Sequence, residues 1–379
     1  MSFKYSKSIK QILEKSNVEV LDYTKTSEKL DEKFFKKLKE LIEKKLNLGK
    51  IIIIKFLKRD SFKIPFWFIE WIKKLRKRCI FIIIILVSLP KNNCCISSNL
   101  FTEIDNDFKD YLFNNTNYDS KLNNLKTTFS TAFMNTSPTY FTGNVCDKER
   151  NNDKYVLISL NPGAQYPNPL IEDLIMNISY YLTGIYNYQD WLNFYINFYE
   201  IFFINGLTSK YYTRLINLFA GLHRLPQTYF SGKGIHKQRQ IYNFYDSYLI
   251  NVDLIPYRSH STSTFKTTPH GICYLNKRFY EILNQISCIK SKFNLRKVIL
   301  NGKVFVDLIV NQQINNCCCK NCQIFSLNTN TIKKQPYKNF TIYDVNINGI
   351  DVVVIDRFLT YVGKGSLTNN DLYNLGTIL

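Results

Sequence analysis

At 379 residues the chain is long enough for one large core with an appendage, or for two domains. Apolar residues make up 45% of it, which excludes a globally disordered chain. Its 50 Lys and Arg stand against 30 Asp and Glu, and the formal net charge of +20 points to a polyanionic partner, either nucleic acid or an anionic membrane surface.

The charge is uneven. The first hundred residues hold 23 Lys and Arg against 10 Asp and Glu, and the remainder holds 27 against 20. A composition crowded with Lys, Asn, Ile, Phe and Tyr accounts for part of the excess without any partner. The opening "MSFKYSKSIKQILEKS" has no apolar core of the kind a secretory signal needs. An intracellular setting follows, cytoplasm or nucleus and nucleoid, with the ten cysteines as free thiols.

Residues 1–50 read as helical and solvated. In "DEKFFKKLKELIEKKLNLGK" the residues Phe34, Phe35, Leu38, Leu41, Ile42 and Leu46 recur at three- and four-residue spacings, and Gly49 suits a helix end. "IIIIKFL" reads as a short strand. "PFWFIEWIKKLRKR" reads as a helix opened by Pro65 and closed by the cluster Lys73, Lys74, Arg76, Lys77 and Arg78. "CIFIIIILVSLP" is a twelve-residue apolar run, whereas a membrane-spanning helix needs about twenty. Its β-branched content makes it a buried strand. Residues 1–90 thus form a basic α/β extension. Residues 91–144 are polar and Asn-rich and read as linker or irregular structure.

From residue 155 four apolar runs each stop at a polar residue or glycine. "YVLISL" stops at Asn161, Pro162 and Gly163, and "SYLI" at Asn251 and Asp253. "KVIL" stops at Asn301 and Gly302, and "DVVVI" at Asp356 and Arg357. Helical patterns lie between them. Continuous apolar strands alternating with helices imply a parallel sheet covered on both faces. The expectation for residues 145–379 is therefore a three-layer α/β/α sandwich around a four-stranded parallel sheet. In such sheets ligands bind beyond the carboxyl ends of the strands, where all four polar stops fall.

The ordered set Leu160-Asn161-Pro162-Gly163, "YLINVDLIPYR" and "VILNG" resembles the uracil-DNA glycosylase superfamily, closest to its Asn-Pro-Gly branches of mismatch-specific or single-strand-selective type. The resemblance implies base excision from DNA after base flipping, with water as nucleophile and no cofactor or metal. It implies that Asn161 positions the attacking water, since an amide is no strong base. Asn251 then reads the base edge through its donor and acceptor, and Gly163 lets the backbone approach closely. Pro162, Arg258 and Gly302 join the substrate-binding set; Tyr166 either stacks on the base or packs as loop cover, and His260 either supplies a cation there or is a solvated loop histidine.

The chain departs from the family at its end. Where the superfamily carries a His-Pro-Ser-type loop, this chain reads "VVVIDRFLTYVGKGSLTN". Arg357 either steadies the departing base anion or pairs locally with Asp356. Lys364 and Ser366 in "GKGS" either contact DNA phosphate or belong to an ordinary loop. His223, His236 and His270 lack metal spacing. "CCCKNC", ending at Cys322, lacks a second Cys or His pair. Two rival functions stay open. One is a non-catalytic nucleic-acid binder on the same fold. The other is a membrane-surface protein using "WIKKLRKRCIFIIIILV" as a basic, hydrophobic anchor. The expected partner is single- or double-stranded DNA, and the expected state is a monomer.

Overall fold

The structure is a computed structural model, described here for residues 18–23, 30–45, 51–57, 64–76, 81–87, 96–146, 153–160, 173, 175–177, 180, 185–205, 209–259, 265–266, 268–311, 332–359 and 366–379.

The N-terminal segment alternates strand and helix: β1 (Val18–Tyr23), α1 (Glu32–Lys45), β2 (Ile51–Leu57), α2 (Phe66–Arg76) and β3 (Phe81–Val87). The three strands form a parallel sheet in the order β1-β2-β3. The four-residue rhythm of α1 buries Phe34, Phe35, Leu38 and Ile42, and α2 buries Phe68, Ile69 and Ile72. The small α/β unit is thus as expected, with one correction. Val18–Tyr23 is a strand and not a helix, because Val18 and Val20 lie along β2 in parallel register.

A larger correction concerns residues 91–144. They contain α3 (Ser98–Phe113) and α4 (Asn115–Phe129). The polar composition conceals an apolar stripe: Leu100, Ile104, Phe108 and Tyr111 on α3, then Tyr118, Leu122, Leu125 and Phe129 on α4. Ser97 caps α3 by accepting from the Leu100 N–H. Buried Asp107 on α3 accepts from Lys121 of α4 and from the hydroxyls of Tyr140 and Tyr257. This segment is therefore packed structure, joined through the Asp107 carboxylate to Tyr257 beyond β6.

The main sheet has seven strands and is mixed, where four parallel strands were expected. Its strands are β4 (Phe141–Thr142), β5 (Asp153–Ser159), β6 (Leu249–Asp253), β7 (Asn294–Asn301), β8 (Lys333–Tyr337), β9 (Phe340–Ile347) and β10 (Ile350–Ile355). The order across the sheet is β4-β6-β5-β7-β10-β9-β8. β6, β5, β7 and β10 are parallel neighbours, so the four apolar runs form the centre of the sheet. β4 adds antiparallel to β6, and β9 and β8 extend the other side as antiparallel strands. The extra strands on that side are joined by tight turns. Asn348 and Gly349 both take positive φ (52° and 77°) between β9 and β10, as a two-residue hairpin turn demands.

Helices cover both faces of the central strands. On one face Ile250 and Val252 line a small enclosed space with Leu100 of α3 and Ile282 of α9 (Pro269–Lys292). On the other, Tyr155 packs edge-on against Phe219 of α7 (Lys210–Leu222). That second face also holds α6 (Phe198–Ile204) and α8 (Gly234–Tyr248), while α5 (Tyr188–Ile196) lies at the β4 edge, where Trp191 stacks on Phe108 of α3 and Tyr195 meets Phe141. Tyr199, Tyr212 and Tyr245 pack there as a cluster of rings. A short helix α10 (Lys303–Phe305) runs into a π turn over Val306–Val310. The last helix, α11 (Asn369–Ile378), lies on α7 with glycine against backbone on both sides. A Cβ at Gly221 would fall 2.1 Å from the Tyr373 carbonyl oxygen, and one at Gly376 would fall 2.1 Å from that of Leu218.

Among the described residues no helix is long and apolar enough to cross a membrane, and no group of His, Cys, Asp and Glu could hold a metal ion. Cys273 and Cys288 form no disulfide, whereas Cys146 is disulfide-bonded, a departure from the all-thiol expectation.

Candidate functional site at the carboxyl edge of the sheet

The chain runs from β5 outward to β6 on one side, then crosses to β7 on the other. The direction of winding reverses between β5 and β7, and the connections leaving their carboxyl ends diverge. Such a switch point opens a crevice at that edge. The residues that β5, β6 and β7 deliver there are Ser159, Asp253, and Asn301 with Gly302.

Alternation along the strands fixes which face each side chain occupies. Thr142 and Leu157 stand in register with Asn251, and Ser159 with Asp253. Thr142, Asn251, Ser159 and Asp253 therefore share the face that carries the tyrosine cluster. The hydroxyl contacts agree. Thr142 Oγ1 lies 3.4 and 3.5 Å from the hydroxyls of Tyr199 and Tyr212, and Ser159 Oγ lies 3.2 Å from that of Tyr211. A polar stripe runs up an otherwise aromatic face toward the edge.

Asn251 does not end its strand, as the sequence suggests, because β6 continues to Asp253. It lies one pleat below the edge, 6% exposed, and its Oδ1 is buried without a hydrogen-bond partner among the described residues. Asp253 stands above it, 3% exposed. No hydrogen bond or ion pair reaches the Asp253 carboxyl group among the described residues. Burial pushes its pKa well above the ordinary carboxylate value, and the nearby charge of Arg258 opposes this only in part. Tyr211 stands beside it, half-buried at the start of α7. Desolvation raises the phenol pKa, with Ser159 and Asn301 countering and the charge of Asp253 adding to the rise.

Asn301 is 1% exposed. Its Oδ1 accepts from the Leu359 N–H at 2.9 Å, while Nδ2 is buried beside the Tyr211 hydroxyl, outside hydrogen-bonding geometry. Gly302 follows with φ 128°, a conformation few other residues adopt, and a Cβ added there would meet nothing within 4 Å. Its N–H donates to the Ile355 carbonyl at 3.0 Å, pinning the ends of β7 and β10 together.

The other expected residues divide into those the structure places and those outside it. Arg258 is buried on the loop beyond β6, donating from Nη2 to Thr139 Oγ1 at 3.2 Å, and its carbonyl accepts from the Met134 N–H. It ties that loop to residues 134–139 while its charge acts on Asp253 and Asp173. Arg357 follows β10 at the same edge. Its Nη1 donates to Asn339 Oδ1 at 2.7 Å, and its guanidinium lies 5.9 Å from the Phe340 ring centre. Ser366 is half-buried ahead of α11. Asn161, Pro162, Gly163, Tyr166, His260 and Lys364 lie outside the described residues, as does the Cys317–Cys322 stretch.

The sequence expectation did not include Ser159, Tyr211, Asp253 or Asn301 among the site residues. Asp253 and Asn301 were visible as polar stops after apolar runs. Tyr211 carries no such signal, because it sits in "KYYTRL", where adjacent tyrosines are indistinguishable without the helix's position.

Comparison of the chain with protein-family models, with curated proteins and with solved structures gives no match.

Proposed function

We propose that this chain is a DNA base-excision N-glycosylase acting on uracil or a related deaminated base, with water as the nucleophile. The observation that carries the reading is Asn251. An amide oxygen buried without a partner is costly, on the order of 1–3 kcal/mol, and such groups in folded proteins usually have a reason. A flipped pyrimidine supplies one: its N3–H can donate to Oδ1 while its O4 accepts from Nδ2. The amide lies on the tyrosine-bearing face of the sheet, one pleat below the edge where the winding reverses. The four parallel central strands, with helices on both faces, are consistent with the α/β/α sandwich that the sequence resemblance implies.

Asn161 remains the residue for holding the attacking water, on the strength of the Asn-Pro-Gly motif. The basic N-terminal unit would add phosphate contacts, which strengthen binding without reading sequence. One observation favours the rival reading of a non-catalytic binder. Arg357, the candidate for steadying the base anion, is already engaged with Asn339 and Phe340.

Single-turnover release of uracil from an oligonucleotide, at saturating protein, separates the two. Release that falls on the order of 10²-fold in Asn161→Ala, with DNA binding kept, supports the enzyme, since this is the usual effect of removing one transition-state contact. No release by the wild-type chain from U·G, U·A or single-stranded substrate refutes it.

A further inference from the structure

The reading above leaves a chemical gap. A base departing from a sugar takes the bonding electron pair with it and needs a proton or a cation nearby. The His-Pro-Ser-type loop that would supply it is missing, and Arg357 is occupied elsewhere. One buried ionisable group at the site has no role so far.

We propose that Asp253 is the general acid of this site, donating its carboxyl proton to the departing base about one ring nearer the sheet edge than the Asn251 amide. The inference rests on the glycosylase reading and deepens it. Asn251 and Asp253 are alternate residues of one straight strand, so their side chains share a face and lie roughly 7 Å apart along it. A pyrimidine held by Asn251 through N3–H and O4 turns N1 and its bond to the sugar toward the edge, with O2 on the flank between N1 and N3–H. The edge is the side on which Asp253 stands.

The surroundings suit an acid in its neutral form. Asp253 is 3% exposed and accepts no hydrogen bond among the described residues, so little holds it as an anion. The titratable groups acting on it are Tyr211 and Tyr212 of α7, both phenols kept neutral by burial, and Arg258, whose guanidinium bonds to Thr139. Ser159 faces it from β5 and is itself in contact with Tyr211. Desolvation therefore outweighs the charge of Arg258 and favours the protonated carboxyl group, the form a general acid needs.

The step balances. The bond between the sugar carbon and the base nitrogen breaks, and its electron pair goes to the base. The Asp253 O–H proton passes to the base carbonyl oxygen beside that nitrogen, so the base leaves neutral. Water bonds to the sugar carbon and releases a proton to solvent, and the Asp253 carboxylate takes a proton back from solvent. The sum is hydrolysis into an abasic sugar and a free base.

The test uses the full chain and oligonucleotides carrying either uracil or 5-fluorouracil, whose ring fluorine makes its anion a better leaving group. In Asp253→Asn, which keeps the shape and loses the acid, single-turnover release of uracil should slow on the order of 10²-fold or more, the usual contribution of a positioned acid. Release of 5-fluorouracil should slow far less. The wild-type rate with uracil should also fall at high pH as the acid ionises, and the variant should lack that limb. Equal slowing with both bases overturns the proposal by making Asp253 structural. Unchanged uracil release overturns it and leaves the glycosylase reading intact. A wild-type chain that releases neither base overturns both. The unfolding midpoint of Asp253→Asn, matched to or above that of wild type, shows that the comparison is between folded proteins.

Discussion

Replacing Asp253 with Asn should stabilise the protein at neutral pH, and the size of the gain should depend on pH. A carboxyl group held neutral by burial binds its proton more tightly folded than unfolded. Its folded pKa is raised above the ordinary value of 3.8. For a group shifted in this direction, stability is full below the unfolded pKa and is lost as pH rises toward the folded one, because the unfolded chain ionises first. The loss is about 1.4 kcal/mol per pH unit across that window. At pH 4 the variant and wild type should be nearly equal, since Asn and a protonated Asp differ little in shape or charge. Two units higher, at pH 6, Asp253→Asn should be more stable by about 3 kcal/mol if the native carboxyl group is still protonated. The assay is urea unfolding of both proteins from pH 4 to 8, with the difference in free energy plotted against pH. A difference that does not change with pH would remove the argument. A difference of opposite sign, with wild type gaining as pH rises, would mean that Arg258 holds Asp253 as a carboxylate.

Other perturbations test the packing and the charge. Gly376→Ala puts a methyl group 2.1 Å from the Leu218 carbonyl oxygen, so α11 and α7 must separate; a net loss of about 1–3 kcal/mol is expected by urea unfolding, whereas an exposed helical glycine would gain from the same change. Arg278, 3% exposed, donates to both Glu103 and Glu281 at 2.8 Å. Arg278→Met strands two neighbouring carboxylates and should cost about 3–5 kcal/mol, less at pH 5 than at pH 8 because burial already raises the Glu103 pKa and lets it protonate. Deleting residues 1–90 should flatten the dependence of DNA affinity on salt if the basic unit meets phosphate, and an unchanged slope would assign its lysines to solvation.

The parts of the fold legible in the sequence were those written as uninterrupted apolar runs. "YVLIS", "LINVD", "KVILN" and "DVVVI" became the four parallel strands, because strands buried on both faces need apolar residues at every position. The strands beside them were harder to read. β9 interleaves buried residues with half-buried ones and one exposed, and β8 is exposed almost throughout, so neither shows a continuous run. The Asn348-Gly349 turn was the available clue. Helices α3 and α4 were hidden by abundant Asn and Asp, although their apolar residues keep helical spacing. At the site, Asn251 and Gly302 were legible as strand-end chemistry. The depth of Asn251 was not, since nothing in "LINVD" says that pairing with β5 continues through Asp253. Tyr211 reaches the edge only because α7 begins there, and that is a property of packing alone.

The two-residue strand β4 has a consequence for dissecting the molecule. It lies along β6 and pairs Phe141 with Val252 and Thr142 with Asn251. A fragment cut at residue 145, where composition alone would place the start of the larger α/β domain, loses this strand and α3 and α4 with it. β6 would then present a bare row of N–H and C=O groups, a template for a second chain to join. Tyr257 would lose the Asp107 acceptor of its hydroxyl. Such a fragment should pair edge to edge and precipitate, whereas one beginning near residue 96 keeps its own cover. The Asn-rich segment thus acts as a guard strand with two helices behind it, and any working fragment of this protein has to include it.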